Sequence, residues 1–164
     1  MPCAQITLLS GDDWAPYFCQ IVDQAKARLD LAAYSLSANW PKQKHIKFNL
    51  LTHLLEAPAR GVHSQIVFAS HRKHSNTANF NNRAASQLRE AGWRVRWADP
   101  GHLLHAKYIC ADRCSVILGS HNLAHTAVAV NVDLSVGFDQ SPTHPAFNLW
   151  FDRLFNKATT ARRR

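Results

Sequence analysis

Six residues of this chain could do chemistry together, and they fall within the single stretch His105 to Asn122, HAKYICADRCSVILGSHN. The pattern is H-x-K-x(4)-D-x(6)-G-S-x-N, carried by His105, Lys107, Asp112, Gly119, Ser120 and Asn122. His105 and Lys107 are two apart, so on a strand they share a face. A histidine can serve as nucleophile or as general acid and base. Lys107 adds a fixed positive charge, Asn122 amide donors and Ser120 a hydroxyl. A nucleophile among cationic and neutral donors suits an anionic substrate whose charge is redistributed in the transition state. A phosphoryl group fits best, and no carboxylate pair or metal cluster is needed to complete the set.

These residues resemble the signature of the phospholipase D superfamily, H-x-K-x(4)-D followed by G-S-x-N, with every defined position present. The segments AYSLS, ARGVHSQIVFAS and LREAGWRVRW also resemble that family's lead-in segments, so the resemblance covers nearly the whole chain. It implies an α/β fold, a mixed β-sheet with helices on both faces, with one motif per chain. It also implies that His105 is the nucleophile forming a phosphohistidine, or its acid/base partner. Lys107 and Asn122 would hold the non-bridging phosphate oxygens and Ser120 would support the pocket. Asp112 and Gly119 would belong to the motif's framework, Asp112 by tying it to neighbouring backbone. The family orients its histidine with an acidic residue, usually glutamate, on the strand after G-S-x-N. Asp133 stands in that place here, one methylene shorter, with Asn131 beside it.

The superfamily mechanism uses two H-x-K motifs, and this chain carries one. His102, His121 and His125 lie nearby without a second lysine-bearing motif. The resemblance therefore implies a site shared across a symmetric homodimer, as in the compact Nuc-like and Zucchini-like endonucleases. No membrane anchor or zinc-binding insert of the Zucchini kind is visible in the sequence.

The rest of the chain must hold this set in place. Its 164 residues, 46% hydrophobic and with five tryptophans, suit one folded domain. The expected domain spans 1–158, followed by a basic tail at 159–164. A net charge of +8 favours an anionic partner, nucleic acid or an acidic membrane surface. No apolar run approaches the roughly 18 residues of a membrane span, and the first residues lack a signal-peptide pattern. The expected compartment is the cytoplasm. Cys3, Cys19, Cys110 and Cys114 lack zinc spacing and read as free thiols, although Cys110 and Cys114 could face each other across a hairpin. No cofactor is expected.

Strands alternate with helices along the sequence. Gln5–Leu9 reads as a strand, and Ser10 to Asp12 as a helix cap. Trp14, Tyr17, Phe18, Ile21, Val22, Ala25 and Leu29 follow at helical spacing. Leu29–Leu36 is a central strand, 37–44 a loop, and Ile46–Ala57 a helix with Gly61 as C-cap. His63–Ala69 is a third strand. Residues 70–82 read as a polar loop, in which Arg72 and Lys73 could meet phosphates. Asn82–Ala91 is a helix. Trp93–Trp97 is a strand placing Arg94 and Arg96 on one face, either a stripe for a polyanion or the wet side of an edge. Leu103–Cys110 and Cys114–Leu118 form the signature hairpin, 120–127 a loop or short helix, and Val128–Phe138 a last strand. Phe147, Trp150, Phe151, Leu154 and Phe155 then lie on one side of a docking helix.

The leading expectation is a metal-independent endonuclease acting on DNA or RNA through a phosphohistidine. The alternatives are a phospholipid phosphodiesterase or phosphatidyl transferase, and a non-catalytic nucleic-acid-binding member of the fold.

Overall fold

The computed structural model describes residues 5–38, 49–71, 75–139 and 145–161. Among these, seven strands form one mixed sheet: β1 (Gln5–Ser10), β2 (Arg28–Ala33), β3 (His63–Phe68), β4 (Arg94–Trp97), β5 (Lys107–Ala111), β6 (Ser115–Gly119) and β7 (Leu134–Asp139). Their order is β1-β7-β6-β5-β2-β3-β4. The β2–β3 and β3–β4 pairs are parallel, and the others are antiparallel. Five helices complete the fold: α1 (Trp14–Gln24), α2 (Leu50–Glu56), α3 (Asn76–Glu90), α4 (His125–Ala129) and α5 (Pro145–Lys157).

Strand alternation sends side chains to two cores. On one face Leu29, Leu31, Ile109 and Ile117 pack with Trp14, Phe18 and Val22 of α1, Leu50 and Leu54 of α2, and Leu88 of α3. On the other face Ala32, Val67, Tyr108, Cys110 and Val116 pack with Phe151 and Phe155 of α5. Burying each of those phenylalanines contributes about 2–3 kcal/mol. Asp30 on β2 is buried, held by Arg28 Nε at 2.7 Å and Gln65 Nε2 at 3.4 Å. Arg28 and Arg113 both reach Asp152, which fastens α5 to the sheet.

Several sequence expectations give way to tertiary demands. Helix α1 ends at Gln24, and Leu29 belongs to β2. A 3-10 turn, Gly11–Asp13, precedes α1, and neither Ser10 nor Asp13 makes a side-chain cap bond. The expected polar loop 70–82 becomes helix from Asn76. Ser75 Oγ caps it by accepting from Ala78 N, and buried Asn81 clamps a neighbouring segment, which outweighs the poor helix propensity of the asparagines. The expected strand Val128–Phe138 begins only at Leu134. Its first residues close α4 instead, with the Val130 and Asn131 N–H groups both donating to Thr126 O. The signature hairpin is shorter than expected, with β5 starting at Lys107. Cys110 is buried and Cys114 exposed, both as free thiols. The expected loop 37–44 and the start of the helix at Ile46 lie largely outside the described residues, as do Cys3 and the last three arginines.

Candidate active site

The site gathers at one end of the sheet. Ala33, the last residue of β2, pairs with Lys107, the first of β5. The C-terminal end of β6 and the N-terminal end of β7 meet there too, with Gly119 opposite Ser135. A Cβ on Gly119 would overlap Ser135 and the Leu134 carbonyl oxygen, so only glycine lets these strands approach so closely. The G-S-x-N segment is stitched to the exit of β2. Leu123 N donates to Ser35 O at 3.1 Å, and Ser37 N donates to Leu123 O at 2.9 Å.

His105 precedes β5 and is exposed. Lys107 Nζ lies 3.1 Å from His105 Nε2 and donates to His105 O at 2.7 Å. With the ammonium donating to Nε2, the ring proton belongs on Nδ1 and the Nε2 lone pair points at Lys107 Nζ. Partial burial and the Lys107 charge hold the imidazole below its ordinary pKa, which keeps it neutral near pH 7. Burial also lowers the Lys107 pKa, with Asp133 pulling the other way.

Ser120 Oγ donates to Asp133 Oδ1 at 2.6 Å and accepts from Leu134 N at 3.0 Å. Asp133 therefore serves Ser120, and no hydrogen bond joins it to His105 among the described residues. Its Oδ2 and Asn122 Oδ1 are both buried without a partner among those residues. Asn131 is exposed and lies before β7.

Asp112 sits at the far end of β5, about 17 Å from Lys107 at the usual strand rise. It accepts from Lys26 N at 2.9 Å and from Ala27 N and Arg28 N at 2.8 Å. Burial opposes its charge, but these backbone donors outweigh that and hold its pKa below the usual carboxylate value. Asp112 and Arg113 occupy a tight turn with φ of 51° and 57°.

Arg94 and Arg96 are not brought to this end. On β4 they pair with Gln65 and Val67. Arg96 donates to Phe155 O, and both guanidiniums lie over the Phe155 ring, at 5.1 and 4.2 Å. Arg96 thus serves as a tie to α5. Arg72 and Lys73 lie outside the described residues. His102 is exposed beside Asp99.

Two features escaped the sequence reading. Tyr34, at the exit of β2, touches both His105 and Lys107. The sequence placed it within the expected strand Leu29–Leu36 and in the AYSLS segment that resembles the family, without marking it as a site residue; the observed strand ends at Ala33, one residue before it. His121, between Ser120 and Asn122, is buried. It stacks flat on Trp14 at 4.8 Å, and its Nδ1 is 2.7 Å from Ser135 Oγ. Burial, partly offset by Asp133, lowers its pKa. An isolated histidine in a variable motif position gives no signal of this.

Among the described residues no helix is long and apolar enough to cross a membrane, and no cluster of three or more His, Cys, Asp or Glu side chains could hold a metal ion.

Comparison with known proteins places this arrangement. The fold is similar to Nuc of Salmonella typhimurium, a phospholipase D family member, with TM-score 0.79 and 20% identity over 97% of this chain and 100% of that one. It is similar to NucT from Helicobacter pylori, with TM-score 0.74 and 14% identity over 94% and 98%. It is also similar to phosphatidylserine synthase of Haemophilus influenzae Rd KW20, with TM-score 0.66 and 16% identity over 98% of this chain but 40% of that one. No curated protein matches the chain significantly. Residues 18–155 match the family described as "Cardiolipin synthase, PLD-like domain". With that match over most of its length, and with His105, Lys107 and the G-S-x-N segment at one end of its sheet, the chain belongs to the phospholipase D-like family.

Proposed function

We propose that this chain is a phosphodiesterase that cleaves nucleic-acid backbones without a metal ion, at a site completed by a second copy of itself. The carrying observation is the His105 imidazole with Lys107 Nζ 3.1 Å from its Nε2. That pair offers a nucleophile and a charge for the phosphoryl oxygens within one contact.

As the Lys107 ammonium turns from Nε2 to a non-bridging phosphoryl oxygen, the freed Nε2 lone pair of His105 attacks phosphorus, and the bond from phosphorus to the leaving oxygen breaks. The partner's His105, which gains a proton when the anionic phosphate lies beside it, gives that proton to the leaving oxygen. Now neutral, the same ring takes a proton from water, and the water oxygen attacks the phosphohistidine. The P–N bond breaks and releases a phosphomonoester. Lys107 and Asn122 hold the non-bridging oxygens throughout.

One motif per chain supports the shared site. So do the exposed Leu103, Val130, Val132 and Leu134, which lie on the segments carrying His105 and Asp133. Burying these apolar side chains against a second copy would remove them from water. The net charge of +8 and the likeness to Nuc and NucT support a nucleic-acid substrate. The family's description and the likeness to phosphatidylserine synthase favour a second reading, in which the same residues transfer a phospholipid headgroup.

The test is cleavage of single- and double-stranded DNA and RNA in excess EDTA, with wild type beside His105→Ala. Cleavage that resists EDTA and disappears in the variant is expected. Turnover that needs a divalent ion, or that survives in the variant, sinks the reading. Cleavage of phospholipid vesicles alone transfers the mechanism to the second substrate.

A further inference from the structure

In this chain Asp133 is turned to Ser120, whose hydroxyl donates a hydrogen bond to its Oδ1 at 2.6 Å. His105 is exposed, lies outside any strand, and has no hydrogen bond to Asp133 among the described residues. Something else must hold its ring. Among the described residues its neighbours are Lys107 Nζ and the ring of Tyr34, whose centroid is 4.7 Å away at an interplanar angle of 68°. Lys107 Nζ also lies 4.9 Å from the Tyr34 ring centroid, within range of a cation–π contact.

Tyr34 is itself anchored. His71 Nε2 is 3.0 Å from Tyr34 O, and the His71 ring meets the tyrosine ring edge-on at 4.8 Å. Asn81, fully buried on α3, donates through Nδ2 to Tyr34 O at 2.9 Å and accepts from Leu36 N at 2.9 Å. The platform is thus fixed by β2, by the exit of β3 and by α3, while β5 supplies the pair that rests on it.

We propose that Tyr34 is the positioning residue for His105 and Lys107, doing here the orienting work that a carboxylate does elsewhere in the family. The ring limits the imidazole to one orientation by its T-shaped contact. The same ring attracts the ammonium, so Lys107 stays beside Nε2 as a charged donor. The groups that face His105 are Lys107 on β5 and Tyr34 after β2. His71 lies on the far contact of that tyrosine, and Asp133 acts on Lys107 through its charge.

The inference rests on His105 being the reacting group, so its test needs a readout that does not depend on any substrate. The measurement is the NMR titration of the His105 ring in wild type, Tyr34→Leu, Tyr34→Phe and Asp133→Asn. Tyr34→Leu should move the His105 ring resonances by removing the aromatic ring current, and should shift its titration midpoint. Tyr34→Phe should leave both in place, and Asp133→Asn should disturb them less than Tyr34→Leu. With a cleaved substrate in hand, Tyr34→Leu should lower kcat by up to about 100-fold with KM changed by less than about twofold, and Tyr34→Phe should restore it. Tyr34→Met fills the space without a ring and replaces the leucine variant if that one does not fold. Unchanged His105 resonances in the ring-less variants overturn the proposal, as does a larger shift in Asp133→Asn. Absent turnover on every nucleic acid, with the NMR result as expected, counts against the nuclease reading and leaves Tyr34 in its role.

Discussion

Ser120 and Asp133 are joined by a 2.6 Å hydrogen bond that couples the end of the G-S-x-N segment to the residue before β7. The Leu134 N–H completes the link by donating to the same Ser120 hydroxyl. Replacing Ser120 with alanine leaves that N–H and one carboxylate oxygen without a partner. Because Ser120 is exposed, the expected stability loss is about 1 kcal/mol, with a larger fractional loss in turnover. Urea denaturation beside steady-state kinetics checks this. A variant as active as wild type would show that the link is incidental.

Gly119 faces a stricter demand. A methyl group there would overlap Ser135 and the Leu134 carbonyl oxygen, which belong to the paired backbone of β7. Gly119→Ala should cost about 3 kcal/mol, at the upper end for overpacking, and should lower the midpoint of thermal unfolding. Unaltered unfolding would mean that the β6–β7 ends separate easily.

Asp112 works far from the chemistry. Its carboxylate accepts three backbone N–H groups from the start of β2. Asp112→Ala should cost about 2–3 kcal/mol, with turnover per folded molecule retained. The sign of the pH effect follows from its depressed pKa. The stabilisation is complete above the ordinary carboxylate pKa of 3.8 and is lost as pH falls through the lower folded value. Acid unfolding of wild type and variant should converge at low pH.

His121 has the opposite charge type and the same acid sensitivity. Burial holds its pKa below 6.5, so the unfolded chain takes up the proton first. Stability should fall as pH drops from about 6.5 through the folded value. His63 and His105 add to the same slope, since both are also lowered. His121→Phe keeps a ring on Trp14 and should flatten part of that slope, as read from unfolding midpoints between pH 7 and 5.

Val132 and Leu134 test the shared site. Both side chains are exposed beside Asp133. A Val132→Asp, Leu134→Asp double variant should sediment as a monomer and lose turnover, while each chain keeps its fold by circular dichroism. Wild type that is fully active as a monomer would remove the need for a second copy.

The candidate site was legible because its residues are close in sequence and fixed in spacing. His105 and Lys107 meet through one strand start, and Ser120 reaches Asp133 through one strand pairing. Tyr34 was hidden because its role depends on β2 lying beside β5, a contact across more than seventy residues of chain. The helical start at Asn76 was hidden because Asn81 is spent on a tertiary clamp that local propensity opposes. Val128 to Asp133 alternates like a strand, but the turn closing on Thr126 O claims those residues first.

The H-x-K-x(4)-D spacing acquires a concrete meaning from β5. Lys107 begins the strand at the reacting end, and Asp112 follows its last residue at the anchored end. The four unspecified positions are a length of pleated backbone, and what fills them matters only for alternation between the two cores. Substitutions there that keep apolar character should be absorbed. A single inserted or deleted residue would send Lys107 to the opposite face of the sheet or pull Asp112 off its three donors. The motif therefore behaves as a gauge: it records the length of β5 between the candidate site and the Asp112 anchor.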